Sequence, residues 1–74
     1  MKASHRLQKR VAVLETLVGR SVDCALESKN NVERCEWDFA RTNLRNLFLN
    51  AAKIKHQRAT VLRLLRRSRK EYER

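Results

Sequence analysis

The amino-acid sequence predicts an all-α protein: a helical hairpin with a long basic second helix, pairing with a second copy as an antiparallel four-helix bundle. Three observations carry this. From Phe39 to Lys70 the chain holds ten basic side chains, no acid, no proline and no glycine, so the charge sits on a stiff rod. Apolar residues recur at three- and four-residue steps in two segments separated by a single run of turn formers. Finally, 74 residues make one small domain, in which two amphipathic helices alone bury too little surface to be comfortable.

The first helix is expected from about Ser4 to Glu27. Leu7, Val11, Leu14, Val18, Val22 and Ala25 fall on one stripe of it, with Ser4 as its N-cap. Gly19 sits in its middle, where it either costs up to about 1 kcal/mol relative to alanine or permits close approach of a second helix. The turn is assigned to Ser28-Lys29-Asn30-Asn31. There Asn30 and Glu33 form a capping-box pattern, and Glu33, Glu36 and Asp38 suit the first turns of a following helix.

The second helix is expected from about residue 31 to residue 70. Val32, Phe39, Leu47, Ile54, Val61 and Leu65 share one side, flanked by Ala40, Leu44, Ala51 and Leu62. As one rod, Arg34 to Lys70 spans roughly 54 Å. A break near Asn50–Ala52, giving two helices, is an equal alternative. Ser68 to Arg74 lacks apolar periodicity and is expected to fray. Pairing two such hairpins lets each apolar stripe face three others, and antiparallel pairing spreads the basic termini apart.

The bulk chemistry narrows function. The net charge of +10 and the pI near 10.9 point to a polyanionic partner. The two cysteines, Cys24 and Cys35, have neither CxxC spacing nor partner histidines. They read as small buried apolar residues in a reducing cytosol, with a disulfide left open if the hairpin brings them together. His5 and His56 stand apart from each other and from acids at catalytic spacing, so no enzyme activity, metal, cofactor or small-molecule substrate is expected. No apolar run approaches the roughly 20 residues needed to span a bilayer, and the mixed N-terminus does not resemble a signal peptide. A cytoplasmic protein is the expectation.

Opposite the apolar stripe, Arg34, Arg41, Arg45, His56, Arg63, Arg67 and Lys70 form a row interrupted only by Ala52, with Lys53 and Lys55 beside it. These nine are the candidate RNA-binding residues. Like charges at i,i+4, such as Arg41 and Arg45, destabilise a helix unless an anion supplies the missing partner. Arginine outnumbers lysine, and its guanidinium fork suits phosphate oxygens. Base-reading devices are missing: there is no zinc finger, no basic-leucine-zipper heptad and no recognisable helix-turn-helix. Aromatics for stacking on single strands are few, and Trp37 beside Phe39 reads as a core or dimer-interface residue. A cationic helical face without base readers suits a duplex recognised by shape and backbone.

Two segments also resemble the nodavirus suppressors of RNA silencing: Asn30-Asn31-Val32-Glu33-Arg34 opening the basic region, and Lys55-His56-Gln57-Arg58-Ala59 followed by Leu62, Leu64 and Leu65. The resemblance implies a helical hairpin with a short third helix, dimerised as an antiparallel four-helix bundle, one face of which lies along double-stranded RNA. It implies that Arg34, Arg41 and Arg45 form part of the RNA-facing row, joined by His56 and Arg58. The implied function is sequence-independent duplex binding that shields RNA from dicing in the host cytoplasm of a virus. Two other readings remain at this stage. One is a structural interaction module whose arginines pair with an acidic protein partner. The other is an amphipathic helix on anionic membranes, disfavoured by the scarcity of large aromatics beside the basic face.

Overall fold

The computed structural model describes residues 2–73, which form two antiparallel helices, α1 (Ala3–Glu33) and α2 (Trp37–Glu73), joined by a three-residue turn. The hairpin is a blade 58 Å long and 16 × 15 Å in section. The all-helical hairpin matches the expectation from periodicity. The helix limits do not, and the reason lies in how the two helices meet.

Apart from Thr60, every described residue that is buried or half-buried falls on one heptad seam. In α1 these are Ala3, Leu7, Leu14, Leu17, Ser21, Cys24, Ser28 and Asn31. In α2 they are Ala40, Asn43, Leu47, Asn50, Ile54, Gln57, Val61, Leu64 and Ser68, with Glu36 just ahead of them. Alternating steps of three and four are the a and d positions of a coiled coil, so the two helices pack knobs into holes along their whole length.

Ser28-Lys29-Asn30-Asn31, expected as the turn, is therefore helical and lies inside α1. The local preference of Ser and Asn for turns loses to the seam. Ser28 is buried and donates its hydroxyl to the Cys24 carbonyl at 2.6 Å, while Asn31 accepts from Asn43 Nδ2 across the seam at 2.8 Å. Asn31 and its neighbours thus cap nothing, and Glu33 ends α1 instead of opening α2.

The chain reverses at Arg34-Cys35-Glu36. The Glu36 amide donates to the Asn31 carbonyl at 2.8 Å and the Cys35 amide to the Val32 carbonyl at 3.1 Å, the paired bonds of a Schellman ending. That ending needs a left-handed residue, and here it is Cys35 at φ 59° rather than glycine. Cys35 is exposed and Cys24 half-buried in the seam, both free, so the expectation of two buried cysteines holds only in part for Cys24. One carboxylate oxygen of Glu36 is shielded without a hydrogen bond; its nearest cation is the exposed Arg34 at 3.9 Å, too solvated to count for much.

Two further expectations change, and two open alternatives are decided. Lys2, not Ser4, precedes the first turn of α1, and it offers no side-chain cap. α2 runs unbroken past Asn50–Ala52, because Asn50 belongs to the seam like its neighbours. It also continues to Glu73 instead of fraying at Ser68, with Ser68 in the seam and Arg69 bonded to Glu73 at 3.0 Å. Gly19 lies on the outer edge of α1, where a Cβ would meet nothing within 4 Å, so it permits no close approach.

The seam is thin. Only Ala3, Leu17, Ala40 and Leu64 among its apolar residues are buried, and among the described residues no side chain is fully buried. Seven of its positions are Ser, Asn or Gln and add little apolar area; Ser21, Ser28 and Ser68 donate to the preceding turn, Asn43 donates to Asn31, and Gln57 accepts from Arg10. The hairpin is held by length and register more than by a core.

Candidate nucleic-acid interface

The seam divides the blade into two broad sides. In an antiparallel pair the e and b positions of both helices share one side, and the g and c positions share the other. The surface grooves agree. Val32 of α1 and Leu44 of α2 line one groove with Ala25 and Leu47, while Arg6 and Lys9 of α1 line another with Thr60 and Arg63 of α2.

The first side is apolar. It carries Val11, Val18, Val22, Ala25 and Val32 from α1, and Trp37, Leu44, Phe48, Ala51, Leu62 and Leu65 from α2. Trp37 is 62% exposed and Phe48 67% exposed, so neither is a core residue of the hairpin itself. Near the turn these side chains form an open groove with Val32, Leu44 and Leu49, rimmed by Arg41 and Arg45. The stripe expected from periodicity mixed two populations. Leu7, Leu14, Leu47, Ile54 and Val61 enter the seam, whereas Val11, Val18, Val22, Val32 and Leu65 stay on the open apolar side. Phe39 projects on the other side of the blade and is 64% exposed.

The second side is cationic. Across it stand Arg6, Lys9 and Arg20 from α1, and Lys53, His56, Arg63, Arg67 and Lys70 from α2. Antiparallel register sets Arg6 opposite Arg67 and Arg20 opposite Lys53, like charge against like charge. None of the eight joins a salt bridge among the described residues; the ion pairs there are Arg34–Glu36 and Arg69–Glu73. The acids on this side, Asp23 and Glu27, lie toward the turn, as does Phe39, while the apolar Val13, 44% exposed, stands between Lys9 and Arg20 in the other half. The half of the face near the chain termini therefore has cations and no acid, over roughly 25 Å from Lys53 to Lys70 at 1.5 Å per residue.

Of the nine candidate residues, the structure brings Lys53, His56, Arg63, Arg67 and Lys70 together on this side. Arg41 and Lys55 fall on the apolar side, Arg45 points outward along the blade's edge, and Arg34 sits in the turn rather than on α2. Arg6, Lys9 and Arg20 were missed by a reading that treated the basic row as a property of one helix. Their only signal in the sequence is the cationic start of α1, which gains meaning once the hairpin folds it against the end of α2. Arg10, in the seam, reaches Gln57 at 3.1 Å and adds its charge at the edge of the same groove.

The chemistry available is charge and hydrogen-bond donation. Among the described residues no group of three or more His, Cys, Asp or Glu could hold a metal ion, and no helix is long and apolar enough to cross a membrane. No protein-family model matches the chain, and no curated protein or solved structure matches it.

Proposed function

We propose that the protein is a homodimer that binds double-stranded RNA without sequence preference through the cationic side of the hairpin. In keeping with its resemblance to the nodavirus suppressors, it would shield duplex RNA from dicing. The observation that carries the reading is the two-helix composition of the cationic side. Seven permanent cations from both helices face one way with no salt-bridge partner, an arrangement that repels itself until a polyanion supplies the counter-charge.

The shape favours a duplex over a single strand. The acid-free half of the face has no Phe, Tyr or Trp on which a base could stack, only the small His56 ring. A paired-helix blade 15–16 Å thick is also too broad to enter a groove as a single recognition helix does. It can lie along a duplex and meet phosphates and 2′-hydroxyls, the contacts by which A-form RNA is recognised.

Dimerisation is supported by surface area. The chain exposes 6422 Å², whereas a compact monomer of this mass exposes about 4,800 Å². The excess is about twice the roughly 800 Å² per partner of a standard interface. A second copy seated on the side bearing Trp37, Leu44 and Phe48 would cover most of the large apolar side chains left open. The pairing of two hairpins makes a four-helix bundle.

The deciding experiment is a competition gel shift at about 150 mM salt, where weak charge contacts are already screened. Labelled RNA duplex is challenged with excess DNA duplex, single-stranded RNA and heparin. Survival against DNA and single strands supports A-form recognition. Equal competition by every polyanion refutes it and favours a structural module with an acidic protein partner, for which Arg41 and Arg45 at the rim of the apolar groove are suitably placed.

A further inference from the structure

We infer that the dimer carries two polyanion-binding faces pointing in opposite directions and therefore bridges two separate duplexes. This rests on the reading above and goes beyond it, because it follows from where the two sides of the blade lie relative to each other. The apolar side (Val11, Val18, Val32, Trp37, Leu44, Phe48) and the cationic side (Arg6, Lys9, Lys53, Arg63, Arg67, Lys70) are opposite faces of one pair of helices, with the heptad seam between them.

When two hairpins meet through their apolar sides, their cationic sides must face away from each other. This holds at any crossing angle, since turning one blade on the other rotates both faces without reversing either. Helix layers pack 8–10 Å apart, so the two cationic surfaces stand about 20 Å from one another. That exceeds two Debye lengths at physiological salt, so a duplex on one face barely repels a duplex on the other. A straight duplex on one face cannot reach the cations of the opposite face. Each face keeps its own seven permanent charges, and filling both needs two duplexes per dimer.

The test uses two short blunt RNA duplexes, one biotinylated on beads and one fluorescent, with the full chain at about 150 mM salt. Wild-type protein is expected to retain the fluorescent duplex on the beads, and sedimentation with separate optical detection of protein and RNA should give two duplexes per dimer. Leu44→Glu with Phe48→Glu, which charges the apolar side and leaves the cationic side intact, should sediment as a monomer, still bind one duplex and retain none on the beads. Circular dichroism reports whether that variant remains helical. If it does not, the wild-type stoichiometry alone decides. One duplex per wild-type dimer overturns the inference while leaving duplex binding intact, and so does bridging by a helical monomeric variant, which would mark simple charge aggregation. Absence of any duplex binding in solution refutes the underlying reading instead.

Discussion

Replacing Arg6 with alanine should flatten the salt dependence of duplex binding as much as replacing Arg67, although the two lie at opposite ends of the chain. Antiparallel register sets them across from each other on the cationic side. Were all seven permanent cations of that side to meet phosphates, log K would fall with log salt at a slope near −6, losing roughly 10⁴-fold in affinity between 50 and 200 mM. Each alanine substitution on the face should reduce the slope by about 1, uniformly across duplex sequences. Arg58→Ala is the matched control, since Arg58 lies on the apolar side beside Leu62 and Leu65. Fluorescence anisotropy at four or five salt concentrations measures the slopes. If Arg41→Ala and Arg45→Ala reduce the slope while Arg6→Ala leaves it unchanged, binding runs along α2 alone and the two-helix face is wrong.

Three stability experiments probe the frame that holds this face. Gly19→Ala should stabilise the protein by about 0.5–1 kcal/mol, because the exposed outer edge of α1 leaves room for a methyl and alanine loses less entropy in a helix; chemical denaturation followed by helicity checks it. Cys35→Gly removes a left-handed strain of about 1–2 kcal/mol and adds some unfolded-state freedom, so a net gain of about 0.5–1 kcal/mol is expected. A melting temperature lowered by that change would argue against the Schellman turn. Asn43→Ala strands Asn31 in the seam and should lose about 1–2 kcal/mol, with little further loss when Asn31→Ala is added; a double-mutant cycle that proves additive would disprove the cross-seam bond.

Helix and hairpin were legible along the chain because they depend on local chemistry. A stretch from Phe39 to Lys70 without proline or glycine reads as helix, with one rod or two left open at Asn50–Ala52, and a strongly cationic surface follows from composition. The turn was not legible. Ser28, Asn30 and Asn31 carry stronger turn preferences than Arg34-Cys35-Glu36, yet the seam recruits Ser28 and Asn31 and moves the reversal onward. Nor was the seam itself legible. Polar Ser21, Ser28, Asn43, Asn50 and Gln57 share its positions with Leu7, Leu14, Leu47, Ile54 and Val61, while Val11, Val18 and Phe48 stand outside it, so apolar spacing marks the open side as readily as the packed one.

Composition and period therefore determined the class of the protein: two long helices and one cationic character. Which cations share one side was decided only by tertiary structure. A helix distributes its charges around its own axis, and a single strand of sequence cannot say which edge a second helix will cover. Antiparallel pairing covered one edge, placed Arg6 and Lys9 beside Arg63 and Arg67, and turned Arg41 and Lys55 to the other side.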